Sequence, residues 1–302
     1  MRKNIELDST AEFLRKCNEQ VMELRINKPQ GWLKQCMDVY EQVLAQEQFE
    51  LPKAKLAGIL YGYAQLLQRN NQVNRAVEVA TEGVALHRKL CKAKPEIFQP
   101  KLATTIGLLA QIHEKLGQQD TAEQEYREAI AIFKELTADS EKYVKDLARH
   151  IGNLAVLHSN QGQLEQAETE YKETIRLYES LSTSLPDTSA QCTALFECDL
   201  AILHCQQHQY DQAAKEYMSS QTKLRTLAEQ GDDENMHFLA HTLSNMGGMY
   251  SETKKYAQSE RAYREALEIY QQLAAKSPEA FQPCVTHVER NIARLHRLQQ
   301  RE

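Results

Sequence analysis

Three sets of residues in this chain could do chemistry at a regular spacing. Cys198, His204, Cys205 and His208 fall close together. His204 and His208 are four residues apart, as two zinc ligands on one helix would be. Cys205 adjoins His204 and must point elsewhere on a helix, and no second ligand pair accompanies them. They are read as packing groups, with no metal and no cofactor. His113, His158, His204 and His296 recur at one position of a repeat, where Leu67 and Tyr250 stand in other copies. Neighbouring helices pack roughly 8–10 Å apart, too far to share one ion held at ~2 Å, so this column is also assigned to packing. The third set is a row of amides: Asn153, Asp199, Asn245 and Asn291, with Gly62 and Leu108 in the first two copies. Each asparagine offers a donor and an acceptor. A row of them can satisfy the backbone of an extended peptide whatever its side chains are. It can equally bridge helices inside the protein, since buried amides need partners.

The elements that must position these residues repeat. A small residue falls at Ala76, Ala122, Ala167, Ala213 and Ser259, at steps of 46, 45, 46 and 46. Four residues on stand Ala80, Tyr126, Tyr171, Tyr217 and Tyr263. Fourteen on stand Leu90, Leu136, Leu181, Leu227 and Leu273. Twelve back stand Ala64, Ala110, Ala155, Ala201 and Gly247, small enough for a neighbouring helix to approach closely. In Leu243–Leu273, apolar residues at helical spacing mark two amphipathic helices joined by a short turn. Gly117 and Gly162 suit such turns in the left-handed conformation.

Fixed periodicity of this kind resembles the tetratricopeptide repeat, over about residues 53–298. The stretches NLAVLHSNQGQLEQAETEYKETIRLYESL (Asn153–Leu181) and YREALEIYQQLAAKSPEAFQP (Tyr263–Pro283) are similar to the long-period subgroup of kinesin light chains and many bacterial repeat proteins. The resemblance implies an all-α, right-handed α-solenoid of helix–turn–helix repeats whose first helices line a concave groove. It also implies that asparagines in the position of Asn153, Asn245 and Asn291 bind peptide. Near that row, Arg149, His241, His287, Arg290 and Arg294 would form a basic floor, with space left by Gly107, Gly152, Ser244 and Gly248. Such a floor suits an acidic peptide or a terminal carboxylate, held by charge-assisted hydrogen bonds.

The expected organisation is an N-terminal helical cap over 1–52, five repeats at 53–98, 99–142, 144–186, 189–233 and 236–280, and a capping helix over 281–302. In the cap, residues 9–26 carry the stripe Phe13, Cys17, Val21 and Leu24, and residues 31–48 carry Trp32 as a packing anchor. Terminal units of a solenoid are usually atypical. Pro52, Pro95, Pro100, Pro278 and Pro283 are read as breaks between repeats. Repeat four should be the weakest, because Gln221 and Lys223 stand where the other copies are apolar.

The net charge of −6 argues against non-specific nucleic-acid binding. No apolar run approaches a membrane span, and the start, MRKNIELDSTAEF, has no apolar secretory core. Seven scattered cysteines read as reduced thiols of a cytoplasmic protein. No phosphate-binding loop, nucleophile elbow or metalloprotease motif is present, so no enzyme is expected. The expected function is a scaffold or adaptor binding a protein or peptide segment in the groove. Peptide contacts are assigned to Asn153, Asp199, Asn245 and Asn291, and acidic groups to Arg149, Arg290 and Arg294. The alternatives are a self-assembling oligomeric scaffold, or an intracellular sensor of a signalling peptide or small ligand.

Overall fold

The computed structural model describes residues 16–17, 19–24, 32–44 and 53–300, and no strand occurs among them. The chain divides into two compact units, Met1–Asp146 and Leu147–Glu302. In the first, α1 spans Trp32–Leu44, α2 Lys53–Arg69, α3 Val73–Cys91, α4 Pro95–Lys115 and α5 Gln119–Asp139, followed by a 3-10 turn at Glu141–Tyr143. Helix α6, Val144–Asn160, begins just before the division. The second unit continues with α7 (Leu164–Ser180), α8 (Pro186–Gln206), α9 (Tyr210–Ala228), α10 (Asp233–Glu252), α11 (Tyr256–Lys276) and α12 (Pro278–Gln299). Of the expected helix over 9–26, residues 16–17 and 19–24 are described and are helical; the rest of it, and the side chain of Trp32, lie outside the described residues.

Each hairpin is closed by the same turn. Asn71, Gly117, Gly162, His208 and Lys254 all take positive φ, between 59° and 75°. At Gly117 the backbone N–H bonds Glu114 O, and the next N–H, of Gln118, bonds His113 O. The other four turns repeat this pair, which satisfies the carbonyls left open at a helix end. Glycine at 117 and 162 meets the expectation. Asn71, His208 and Lys254 adopt the same conformation with a side chain present, which costs some strain.

The packing follows the columns of the repeat. Ala76, Ala122, Ala167, Ala213 and Ser259 are fully buried, as are Ala64, Ala110, Ala155 and Ala201. Where serine replaces alanine, the Ser259 hydroxyl donates to Gly247 O at 2.7 Å, so no polar atom is stranded. Tyr126, Tyr171, Tyr217 and Tyr263 are buried between the helices.

The prolines within the described residues act differently from expectation; Pro52 lies outside them. Pro95, Pro186 and Pro278 are first residues of helices α4, α8 and α12. There a missing N–H costs nothing and the fixed φ is already helical. Pro100 and Pro283 lie inside α4 and α12 rather than in loops. Near a helix start each removes one hydrogen bond without ending the helix. The repeats expected at 99, 189, 236 and 281 consequently begin three or four residues earlier, at Pro95, Pro186, Asp233 and Pro278.

Repeat four is not loosely packed. Lys223 Nζ lies 2.7 Å from Glu197 Oε1 and donates to Ser219 Oγ, and Ser219 Oγ in turn donates to Glu197. Ser220 Oγ donates to Ala194 O across the hairpin. A polar lock stands where the neighbouring hairpins have apolar contacts.

Candidate functional site

In the second unit, the first helices of successive hairpins touch one another, α8 with α10 and α10 with α12. Between them lies a cleft of about 510 Å³. Asn245 and Asn291 both line it, one repeat apart, together with Ser244, Gly248 and His287. The cleft thus brings together two of the four amide-row residues. Asn153 and Asp199 are half-buried on α6 and α8, and neither is among the lining residues. Arg149 is half-buried on α6. Arg290 and Arg294 are exposed on α12. Arg294 lies near enough to the cleft-lining Tyr263 that its charge opposes the upward pull of burial on that phenol.

The asparagines are partly engaged by the protein. Asn245 Nδ2 donates to Cys198 Sγ at 3.9 Å, bridging α10 to α8, and contacts His241 of its own helix. Asn291 Nδ2 lies 3.1 Å from His287 Nε2. In these orientations each amide turns its N–H2 to the protein and keeps Oδ1 to accept from a ligand N–H.

The rest of the cleft comes from residues the amide pattern does not reveal. Tyr217 and Tyr263 reach it from α9 and α11, joined by Cys205, Tyr210 and Glu252. Tyr217 hydrogen-bonds Cys205, twelve residues before it, as Tyr126 OH donates to Glu114 Oε2 at 3.0 Å two repeats earlier. A signal was present: the residue twelve before each of these tyrosines is Glu114, Ser159, Cys205 or Ser251, polar or a thiol every time. Burial pushes the Cys205 thiol up to about 11 and raises the Tyr217 phenol. Both therefore stay protonated at neutral pH.

Several expectations about the surroundings are corrected. Gly152 leaves no open space, because a Cβ there would lie 2.3 Å from Phe196 Cζ. The aromatic ring fills the room the missing side chain provides. Desolvation, then the charges of His237 and His287, hold His241 below the ordinary imidazole range. It therefore adds no positive charge at neutral pH, and a basic character here rests on the arginines. On α8, burial pushes the Asp199 carboxyl up to about 6.

Three of the four histidines of the column share one geometry, while His296 instead reaches Glu260 Oε1 through Nε2 at 3.4 Å. His113 Nδ1, His158 Nδ1 and His204 Nδ1 lie 2.7, 2.6 and 2.7 Å from Glu125, Glu170 and Glu216, each twelve residues on and on the second helix of the hairpin. The copies with Leu67 and Tyr250 have Val79 and Ala262 at the partner position. His208 instead turns to Tyr210 OH at 2.9 Å, and Cys198 is buried against Asn245. Among the described residues, no group of three or more His, Cys, Asp or Glu is placed to hold a metal ion. No described helix is long and apolar enough to cross a membrane.

Comparison with known proteins places this architecture. No curated protein matches the chain in sequence. The BtubC (BKLC) protein from P. vanneervenii is similar in structure, with TM-score 0.61 and 21% identity over 74% of this chain and 83% of that one. The apo form of the quorum sensor NprR from B. thuringiensis matches with TM-score 0.61 and 14% identity, over 92% of this chain and 68% of that one. Repeats of a putative kinesin light chain from Podosopora anserina match with TM-score 0.54 and 16% identity, over 71% of this chain and 97% of that one. At these identities the likeness is one of fold. In sequence, family models described as tetratricopeptide repeat match residues 147–182 and 239–278, and residues 103–135. The chain thus carries tetratricopeptide repeats, matched in sequence over those three segments.

Proposed function

We propose that this protein is a binding scaffold that captures an extended segment of a partner protein in the cleft between α8, α10 and α12. The observation that carries this reading is the pairing of Asn245 and Asn291, which line one cleft a repeat apart and keep a carbonyl oxygen each for a ligand. Peptide N–H groups recur along an extended chain and match acceptors presented by successive repeats. Arg290 and Arg294 beside the α12 end favour an acidic side chain or a terminal carboxylate there. Asn153, Asp199 and Arg149 would extend the track along α6 and α8 for a longer segment. A protonated thiol and phenols in the floor support recognition rather than turnover.

Selection of displayed peptides on the full chain, followed by fluorescence anisotropy of the winners, tests this. The selected peptides should be enriched in Asp and Glu. The Asn245→Ala/Asn291→Ala double variant should weaken them about tenfold or more, since it removes two hydrogen bonds to the ligand. Its melting temperature should change little, because it loses only a long contact from Asn245 to Cys198 and contacts within single helices to His241 and His287. Unchanged affinity in a folded double variant would overturn the site.

A further inference from the structure

A separate cavity of about 250 Å³ lies wholly in the first unit, between α2 and α4, with His87 of α3 in its wall. Its lining is chiefly apolar. Gly58 of α2 opens onto it: a Cβ built there would meet no heavy atom within 4 Å. Glycine inside a helix is less stable than alanine, and no packing at this position requires it.

On the α2 wall, Tyr61 OH accepts from Gln65 Nε2 at 2.8 Å. Thr104 Oγ1 donates to Pro100 O, and Thr105 Oγ1 donates to Lys101 O, each at 2.8 Å. Both hydroxyl protons are thereby spent within α4. His87 Nδ1 lies 3.1 Å from Thr105 Oγ1. With the hydroxyl proton already given to Lys101 O, the imidazole must supply the proton of this bond. Nε2 is then the bare nitrogen, left to accept. Burial first, and the Lys101 charge second, hold His87 below the ordinary imidazole range, so the ring stays neutral. Lys101 itself is exposed at the rim, its Nζ 5.4 Å from the centre of the Phe98 ring. The cavity thus presents chiefly apolar walls, the His87 acceptor within, the Tyr61 hydroxyl on its α2 side and one cation at its edge.

We propose that this cavity binds a planar aromatic group with one N–H or O–H donor, an indole or a phenol, whose anionic substituent faces Lys101. An alkyl chain would fill the walls but leave the His87 acceptor unsatisfied. A carboxylate placed inside would face lone pairs, and a cationic substituent would meet Lys101. An aromatic ring with a single donor satisfies both wall and acceptor. The same chemistry can come from a free aromatic acid or from a tryptophan or tyrosine next to an acidic residue in a peptide.

Calorimetric titration of the full chain distinguishes these outcomes. Indole-3-acetate should bind with a Kd below about 1 mM, the range open to a ligand of this size. 1-Methylindole-3-acetate, lacking the donor, should bind about fivefold more weakly, the loss of one net hydrogen bond. Tryptamine, with the charge reversed, should also be weaker. Gly58→Leu places a side chain in the open space and should abolish binding while circular dichroism reports an intact helical fold; Gly58→Ala should weaken it less. A blocked peptide with Trp beside Glu serves as the second source. If it binds more tightly than the free acid, the ligand is a partner side chain; the reverse order assigns a small aromatic acid. No saturable binding by either, equal binding of the methylated compound, or binding retained in Gly58→Leu would overturn the proposal.

Discussion

Hairpins α8–α9 and α10–α11 have nearly equal helices and the same closing turn, yet they are held by different chemistry. In α10–α11, Leu243 faces Ala266, Leu267 and Ile269 in one apolar cluster. In α8–α9 the corresponding positions carry Glu197, Ser220, Gln221 and Lys223, and the contact is the Glu197–Lys223 ion pair backed by Ser219. Glu197 is nearly buried, and its Oε2 has no hydrogen-bond partner. An apolar interface tolerates loss of one methyl group by degrees. A buried ion pair is intolerant, because either partner alone is a stranded charge. The difference teaches that a repeat can replace part of its apolar contact with charge only if both columns change together.

The largest expected effect comes from breaking the pair. Lys223→Ala should cost roughly 2–3 kcal/mol, discounted from the fully buried case because the lysine is partly exposed. Denaturant unfolding measures it. The double variant Glu197→Ile/Lys223→Leu, which imports the apolar chemistry of the neighbouring hairpins, should recover most of that loss. A double variant less stable than Lys223→Ala would contradict the comparison.

The apolar hairpin has its own point of intolerance. Gly247 stands where the other copies have alanine, and a Cβ there would come within 2.8 Å of the Tyr263 ring. Gly247→Ala should cost about 1–3 kcal/mol by overpacking, seen as a lowered melting temperature. The alanine columns alone would suggest a stabilising change, so the sign is decisive.

A smaller and pH-dependent effect separates Asp199 of α8 from Asn245 of α10. Asp199 has a folded pKa near 6, above the usual unfolded value of about 3.9. A raised carboxyl pKa disfavours folding as the group ionises, so the penalty is absent at low pH and complete above about 6. Asp199→Asn should leave stability unchanged near pH 3 and raise it by about 1–2 kcal/mol at pH 7.5. Thermal melts across that range measure the divergence, and parallel curves would sink the assignment.

Much of this was open to sequence reading. The spacing of Ala76, Ala122, Ala167, Ala213 and Ser259 sets the register, because only a small residue fits where two helices cross. The locks were equally readable, since glutamate accompanies His113, His158 and His204 twelve residues on, and is absent where leucine or tyrosine replaces histidine. Pairing across a hairpin appears as columns that change together. The helix starts were misjudged because a proline signals a break and a beginning alike, and Pro95 and Pro278 are beginnings. Two features of the site's surroundings were not open to it. Which ring fills the space at Gly152 depends on the rotamer of Phe196, forty-four residues away. The neutrality of His241 depends first on burial and then on neighbouring charge, of which His237 lies one turn away on α10 but His287 is brought near only by packing.

The central claim is that α10 and α12 present one peptide-binding cleft. Hydrogen–deuterium exchange of the full chain, with and without a selected acidic peptide at saturation, tests it most directly. Added protection should concentrate in residues 241–252 and 287–294, and the Asn245→Ala/Asn291→Ala variant should lose it. Protection confined to α9 and α11, or unchanged in the double variant, would contradict it.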